Sequence, residues 1–573
     1  MKHCTQLLLG TALFLLPAVS SAGPLQDLLK SRGGALVQTV SVEQTSEEAF
    51  QHFFELVVDE LERTGSGGLA DSLRSVISDP DEAEVVRDQL AWIIHTFARE
   101  YYREAIIRET GQLIRFKTFA TDVPNRMNPE FRAQKEYLRD LVGGLGLQFN
   151  DVDGYVQEIW IGGGEQSFGI MSHSDVQPVE PTEWTHDPWS GAVVDGFLRG
   201  RGSVDDKGPI CAVIYGMRAI LDSGFPIRRK IVLLIGTDEE SANEDVATYL
   251  TTHAPPDRTI VVDSNFPVVC AEKGWGGIWL TLPRTSGAQS GGTRIVDLDA
   301  GFSASIVPEK ATARLVVKNP DRELDNFRIL SEEFMAFRAG SSINISGVQD
   351  TMIVTAAGKS VHASVPATGH NALMDLLVFL DEHVKPDRNA FSLMAKWATR
   401  YIRFELDGSS LGIAHHDDFM GDVTVAVNLF ETTDSSVTLM FNFRRPKGIS
   451  RETTETALQE CFDRFAEEEG VTFTDRRYIG EPHYMDPESL FVRDLLSIYN
   501  EVTGEDREAE SIGGGTYAHR LPNAVVFGPA MPDEEYLGHQ PNERLSLATL
   551  EKNVEILTHT IALYSISEKD RAR

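Results

Sequence analysis

Apolar residues change their spacing along this chain, and each change marks a different kind of element. Behind Ser46-Glu47-Glu48, the residues Phe50, Phe53, Phe54, Val57 and Leu61 recur at helical intervals until Gly65-Ser66-Gly67-Gly68 interrupts them. A serine-led acidic opening followed by that period predicts helices over 23–100, with the aromatic stripe used for packing. From about residue 101 the texture becomes helix and strand in alternation. Short apolar runs, Phe168 to Met171, Ile231 to Ile235, Ile260 to Val262 and Ala524 to Phe527, end abruptly in polar residues. They read as buried strands of a largely parallel sheet, with helical stretches such as Pro209–Leu221 between them and helices on both faces. That is an α/β fold.

Between about 275 and 482 the pattern alternates instead, in Thr312–Val317, Thr351–Thr355, Val423–Leu429 and Ser436–Phe443. Alternation predicts half-exposed antiparallel strands. Helical stretches at Asp325–Ala339 and Asn371–His383 lie among them. The expected organisation is therefore a helical extension at 23–100, a catalytic α/β domain at 101–274 and 483–573, and an α+β lid domain inserted at 275–482.

Composition narrows the partners. The 573 residues carry 53 basic and 86 acidic side chains, a net charge of −33, which repels phosphate and argues against nucleic acid or an anionic membrane. Lys2 and His3 precede an apolar run from Leu7 to Val19 that gives way to Ser20-Ser21-Ala22-Gly23. This is the form of a secretory signal peptide over 1–22, so a periplasmic or secreted mature chain is expected. No later stretch is apolar and long enough to span a bilayer. Cys211, Cys270 and Cys461 are widely spaced and odd in number, which suits buried thiols better than a metal knuckle or complete pairing.

The candidate chemistry lies where the apolar runs stop. His173 and Asp175 follow the run ending at Met171, Glu239 and Glu240 follow the one ending at Ile235, and Asp263 follows Val262. Parallel strands would bring all of these to one carboxyl edge, where open α/β sheets carry their sites. The loop Gly200-Arg201-Gly202-Ser203-Val204-Asp205-Asp206-Lys207-Gly208 adds two carboxylates just before a helix. It does not have the phosphate-loop pattern, and its acids suit a cation.

These motifs, with Asp238-Glu239-Glu240 and Gly538-His539-Gln540, resemble in order those of the dizinc peptidases that include carboxypeptidase G, aminoacylase, acetylornithine deacetylase and carnosinase. Asp263-Ser264-Asn265-Phe266-Pro267, Glu272-Lys273-Gly274, Phe419-Met420-Gly421-Asp422 and Gly513-Gly514-Gly515-Thr516-Tyr517 look like the peptidase V-like dipeptidases within that family. The resemblance implies two Zn2+ ions per chain, with Co2+ or Mn2+ as alternatives. It implies His173 and Asp263 on one ion, Glu240 and His539 on the other, and Asp205 bridging them, with a cis peptide after Asp205. Glu239 would be the general base and then the acid, pointing away from Glu240 if the backbone there is extended. Asp175 would orient the ring of His173.

From the inserted domain, His362 in Gly358-Lys359-Ser360-Val361-His362 would stabilise an oxyanion. Arg444 would grip a substrate carboxylate, with Gly514 and Thr516 also binding substrate. Ser305 stands where relatives often carry an asparagine that touches substrate. The implied activity is hydrolysis of dipeptides or short peptides with a free C-terminal carboxylate. N-acyl-amino-acid deacylation is the alternative, and a non-catalytic peptide-binding protein is the reading from another class. The large insert favours a monomer, with a dimer as the other state.

Overall fold

The computed structural model describes residues 23–40, 44–241, 243–284, 292–348 and 350–567. The expected signal peptide at 1–22 lies outside the described residues. The chain forms two compact units, one from the described residues of Met1–Ser241 and Tyr536–Arg573, the other from those of Ala242–Glu535.

In the first unit the predicted helical extension forms the helices Gly23–Gln38, Ser46–Arg63, Gly67–Ser78 and Arg87–Tyr101. The helix Ser46–Arg63 starts where the sequence pattern places it because Thr45 and Glu48 form a reciprocal capping box, which satisfies two otherwise orphaned N–H groups. Its stripe is packing: Phe50, Phe53 and Phe54 are buried, and Phe97 meets both Phe50 and Phe53. The terminal helix Leu547–Ile566 packs against Arg87–Tyr101 and Lys207–Ser223.

Four strands of this unit run in the order Gln148–Val152, Val156–Ile161, Lys230–Gly236, Ser167–His173. The first two contacts are antiparallel, and only the last is parallel, pairing Ser172 with Ile235 and His173 with Gly236. The sheet is thus mixed, and parallel where His173 and the Asp238–Glu240 turn leave it.

The larger sheets of the second unit are of two kinds. The strand Arg258–Val261 runs parallel to Ala524–Val526, and Val269–Glu272 lies antiparallel to His483–Tyr484 and parallel to Glu510–Ile512. An eight-stranded sheet contains Gly274–Pro283, Lys310–Val316, Thr351–Ala357, Thr424–Thr432 and Ser436–Arg445, and its pairings are antiparallel. Alternate residues point into the core, as predicted: Ala311, Ala313, Leu315, Met352, Val354 and Ala356 are buried with Phe334, Leu376, Trp397 and Phe465 of the helices. Cys211, Cys270 and Cys461 are free and buried. Among the described residues no helix is long and apolar enough to cross a membrane.

The contact of the helical extension with the terminal helix contains a buried histidine pair. His95 Nδ1 stands 3.0 Å from His559 Nδ1, so one ring donates and the other must accept. Burial holds His95 well below its ordinary value, and Arg99, Lys552 and Lys30 reinforce the shift. The unfolded chain takes up a proton at this residue below about pH 6.5 and the folded chain does not. Stability is therefore full above that pH and declines as the pH falls. Urea midpoints measured at pH 7.5 and pH 5.0 should drop on acidification, and His95→Leu should flatten that dependence; equal slopes for the two proteins would contradict it.

Candidate metal centre and substrate site

The first unit gathers His173, Asp205, Glu240 and His539. His173 ends its strand, and its Nε2 lies 3.0 Å from Asp205 Oδ1. The other oxygen, Asp205 Oδ2, lies 3.0 Å from His539 Nε2, which is 2.9 Å from Glu240 Oε1. One carboxylate thus offers one oxygen to each of two histidines. Positive charge is favoured here: burial works against it, yet His539 is held well above the usual imidazole range by Glu240 and Asp205. Likewise Asp205 is held well below the usual carboxylate range by His539 and His173, although burial opposes this.

The donor set fits a divalent cation. Ligand atoms of His173, Asp205 and Glu240 all lie within 4.8 Å of one another. Glu240 Oε1 is buried and, despite its closeness to His539, has no hydrogen bond among the described residues. Imidazole nitrogen and carboxylate oxygen are the ligands that zinc and its neighbours accept.

The loops are tied down by partners outside this set. Glu543 is fully buried. Its Oε1 accepts from the N–H groups of Val204 (3.0 Å) and Asp205 (3.3 Å), and its Oε2 accepts from Arg201 at 2.6 Å. The Asp205–Asp206 peptide is cis. Asp206 turns its carboxylate towards the strand end and accepts from Ser172 Oγ at 2.6 Å. Buried Lys207 donates to the carbonyls of Leu113 and Phe116, and burial pushes its ammonium down to about 7. Gly202 has a φ of +84°, and a Cβ there would stand 2.8 Å from Val176.

Two expectations are corrected in detail. The nearest partner of His173 Nδ1 is the Asp175 carbonyl at 2.9 Å, while the Asp175 carboxylate stands 3.5 Å away. That carboxylate instead accepts the N–H groups of Glu239 (3.2 Å) and Glu240 (2.9 Å). Glu239 and Glu240 lie in a turn, not on extended backbone, because Asp175 satisfies both of their N–H groups at once. Gln177 Nε2 also donates to Glu240 Oε2 at 2.9 Å. Gln177, Tyr536 and Glu543 carried no signal in the sequence beyond their nearness to Asp175 and His539.

The remaining predicted residues belong to the second unit. Asp263 follows the strand Arg258–Val261 at its carboxyl end. His362 is exposed on the short strand Val361–His362, which pairs with Ile306–Val307, and its Nδ1 lies 2.6 Å from Ser364 Oγ. The Ser305 carbonyl accepts from Ala363 N–H at 2.8 Å, so Ser305 ties down the backbone beside His362. Arg444 is buried near the end of its strand, and its Nε has no hydrogen bond among the described residues. Burial pushes its guanidinium down to about 10, and Glu272 partly offsets this. Thr516 Oγ1 donates to the buried carboxylate of Glu272 at 2.8 Å, and His519 Nδ1 lies 2.5 Å from the other oxygen. Gly514 lies in a bend two residues before Thr516, which caps the short helix Tyr517–His519.

The family profile of Peptidase family M20/M25/M40 matches residues 169–563. The chain belongs to that family. It is a peptidase, and the matched span contains every predicted site residue. A Staphylococcus aureus (strain USA300) protein designated "putative dipeptidase" is 29% identical over 476 residues, covering 82% of this chain and 98% of its own. A like-named protein of strain MW2 is 30% identical over 477 residues with the same coverage. Human carnosine dipeptidase 1 shares the fold of this M20 chain: its TM-score is 0.51 at 12% identity, over 83% of this chain and 98% of that one.

The Arg201–Glu543 pair is almost wholly buried. Glu543→Ala would leave a buried guanidinium uncompensated, which costs about 3–5 kcal/mol. Urea denaturation of the variant should show a loss of that order, whereas a loss below about 1 kcal/mol would match an exposed pair.

Proposed function

We propose that this M20 peptidase is a two-metal dipeptidase that releases amino acids from short peptides with a free C-terminal carboxylate. The observation that carries the reading is the disposition of Asp205, with one oxygen towards His173 and the other towards His539. In this reading His173 and Asp263 hold one Zn2+, Glu240 and His539 hold the other, and Asp205 serves both. When bound, such a pair polarises the scissile carbonyl and lowers the pKa of water towards neutrality.

The chain's own residues do the rest. Glu239 takes the proton of the attacking water and delivers it to the leaving amine. Its main chain is anchored by Asp175, so its carboxylate starts from a fixed point. His362 donates to the oxyanion of the tetrahedral intermediate. Arg444, a buried guanidinium whose Nε has no hydrogen-bond partner among the described residues, supplies the planar fork that suits a substrate carboxylate. Gly514 and Thr516 belong to the same subsite, where Glu272 holds Thr516. The relatives designated as dipeptidases support the substrate class. The apolar N-terminal run supports action in a periplasm or outside the cell, and the size of the insert supports a monomer.

Glu239→Gln should lower turnover by about 10²–10⁴-fold while leaving metal content unchanged, as removal of a general base does. Unimpaired turnover in metal-loaded protein would sink the mechanism. Arg444→Ala should raise KM by roughly ten- to hundredfold for dipeptides, since a charge-assisted contact is worth about 1.5–3 kcal/mol. Alanyl dipeptides, their C-terminal amides, β-alanyl-histidine and N-acetyl amino acids should be assayed side by side. Faster cleavage of the N-acetyl amino acids would favour deacylation instead.

A further inference from the structure

The bridging role of Asp205 requires its carboxylate to keep one rotation. A turn about its last side-chain bond would withdraw one oxygen from His173 and the other from His539. Backbone anchoring by Glu543 fixes where the residue starts but leaves that rotation free. A contact at the carboxylate itself is needed, and the first unit contains one that belongs to no ligand set: Tyr536 Oη donates to Asp205 Oδ2 at 2.8 Å.

The approach of this phenol is built into the chain around it. The Tyr536 ring folds back over Gly538, where a Cβ would meet the phenol oxygen at 2.4 Å and the ring carbon bearing it at 2.5 Å. Gly538 is not among the residues with positive φ, so backbone conformation does not demand glycine there. The ring does. The next residue is His539, with a φ of +65°, which faces the same Asp205 oxygen as the phenol. Tyr536, Gly538 and His539 therefore converge on Oδ2 from a single short segment.

We infer that Tyr536 is a positioning residue that locks the rotation of the Asp205 carboxylate, so that it serves two metal ions at once, and that Gly538 is the gap admitting its ring. The inference rests on the two-metal reading. A phenol O–H donates to the lone pair of Oδ2 turned away from an ion and leaves the carboxylate charge in place. Loss of an outer partner of this kind typically weakens metal binding about 10–100-fold.

The test is zinc titration of the full-length apoprotein against a chromophoric chelator, with thermal melts of each variant as a control for folding. Tyr536→Phe keeps the ring and removes only the donor, so the weaker of two binding steps should weaken about 10–100-fold. Gly538→Ala displaces the phenol without removing it and should reproduce the loss. Adding Gly538→Ala to Tyr536→Phe should cost little more, because both act through one contact. Wild-type protein that takes up two equivalents while Tyr536→Phe binds both within twofold of wild type would overturn this inference alone. Wild-type protein that takes up one equivalent would overturn the two-metal reading and this inference with it. Additive losses in the double variant would also overturn it, because they would mean that Gly538 acts by another route.

Discussion

Glu543 and Asp205 are two buried carboxylates joined through one backbone N–H group, and the geometry of the metal centre depends on that junction. A buried carboxylate is costly unless its oxygens are satisfied. Glu543 meets the condition with Arg201 and with the N–H groups of Val204 and Asp205. The Glu543 carbonyl also accepts from Gly200 N–H at 3.0 Å. One residue thereby ties the glycine-rich loop to the segment that carries His539. Two stretches far apart in sequence become a single rigid support, and the ligands inherit its precision.

Asp175 plays the matching part on the other side of the site. Its carbonyl meets the His173 ring, and its carboxylate holds the turn bearing Glu239 and Glu240. A short residue at a strand end thus positions a proposed metal ligand and the proposed base together. The second unit uses the same economy around Glu272, which holds Thr516 and His519 and offsets part of the charge of Arg444. In each case a buried acid serves as a hub that holds several neighbouring groups at once. Low local dielectric strengthens such hubs and makes any unmatched group in them expensive.

The helical extension belongs to the same compact unit as His173, Asp205, Glu240 and His539. Its aromatic stripe packs with Phe97, and its last helix meets the terminal helix Leu547–Ile566 through His95 and His559. Asp222 of the helix behind the metal loop accepts from Ser46 at 2.7 Å, which ties the extension to that helix as well. The extension is part of the support of the site.

Element types were legible along the chain, because periodicity reports directly which face of a helix or strand is buried. The ligand and base candidates were legible too, because acids and histidines placed directly after apolar strands gather at a sheet edge, and their motifs match a family. The alternating strands around Lys310–Val316 and Thr351–Ala357, and the helix behind Asp205, formed where their patterns predicted. Tertiary packing alone settled which atom of Asp175 meets His173, that Glu239 and Glu240 share a turn, and that Tyr536 and Glu543 converge on Asp205. Those outcomes depend on distances between segments separated by tens to hundreds of residues. Local pattern carries information about burial and period, whereas a hydrogen bond between remote loops is set by how the whole unit packs.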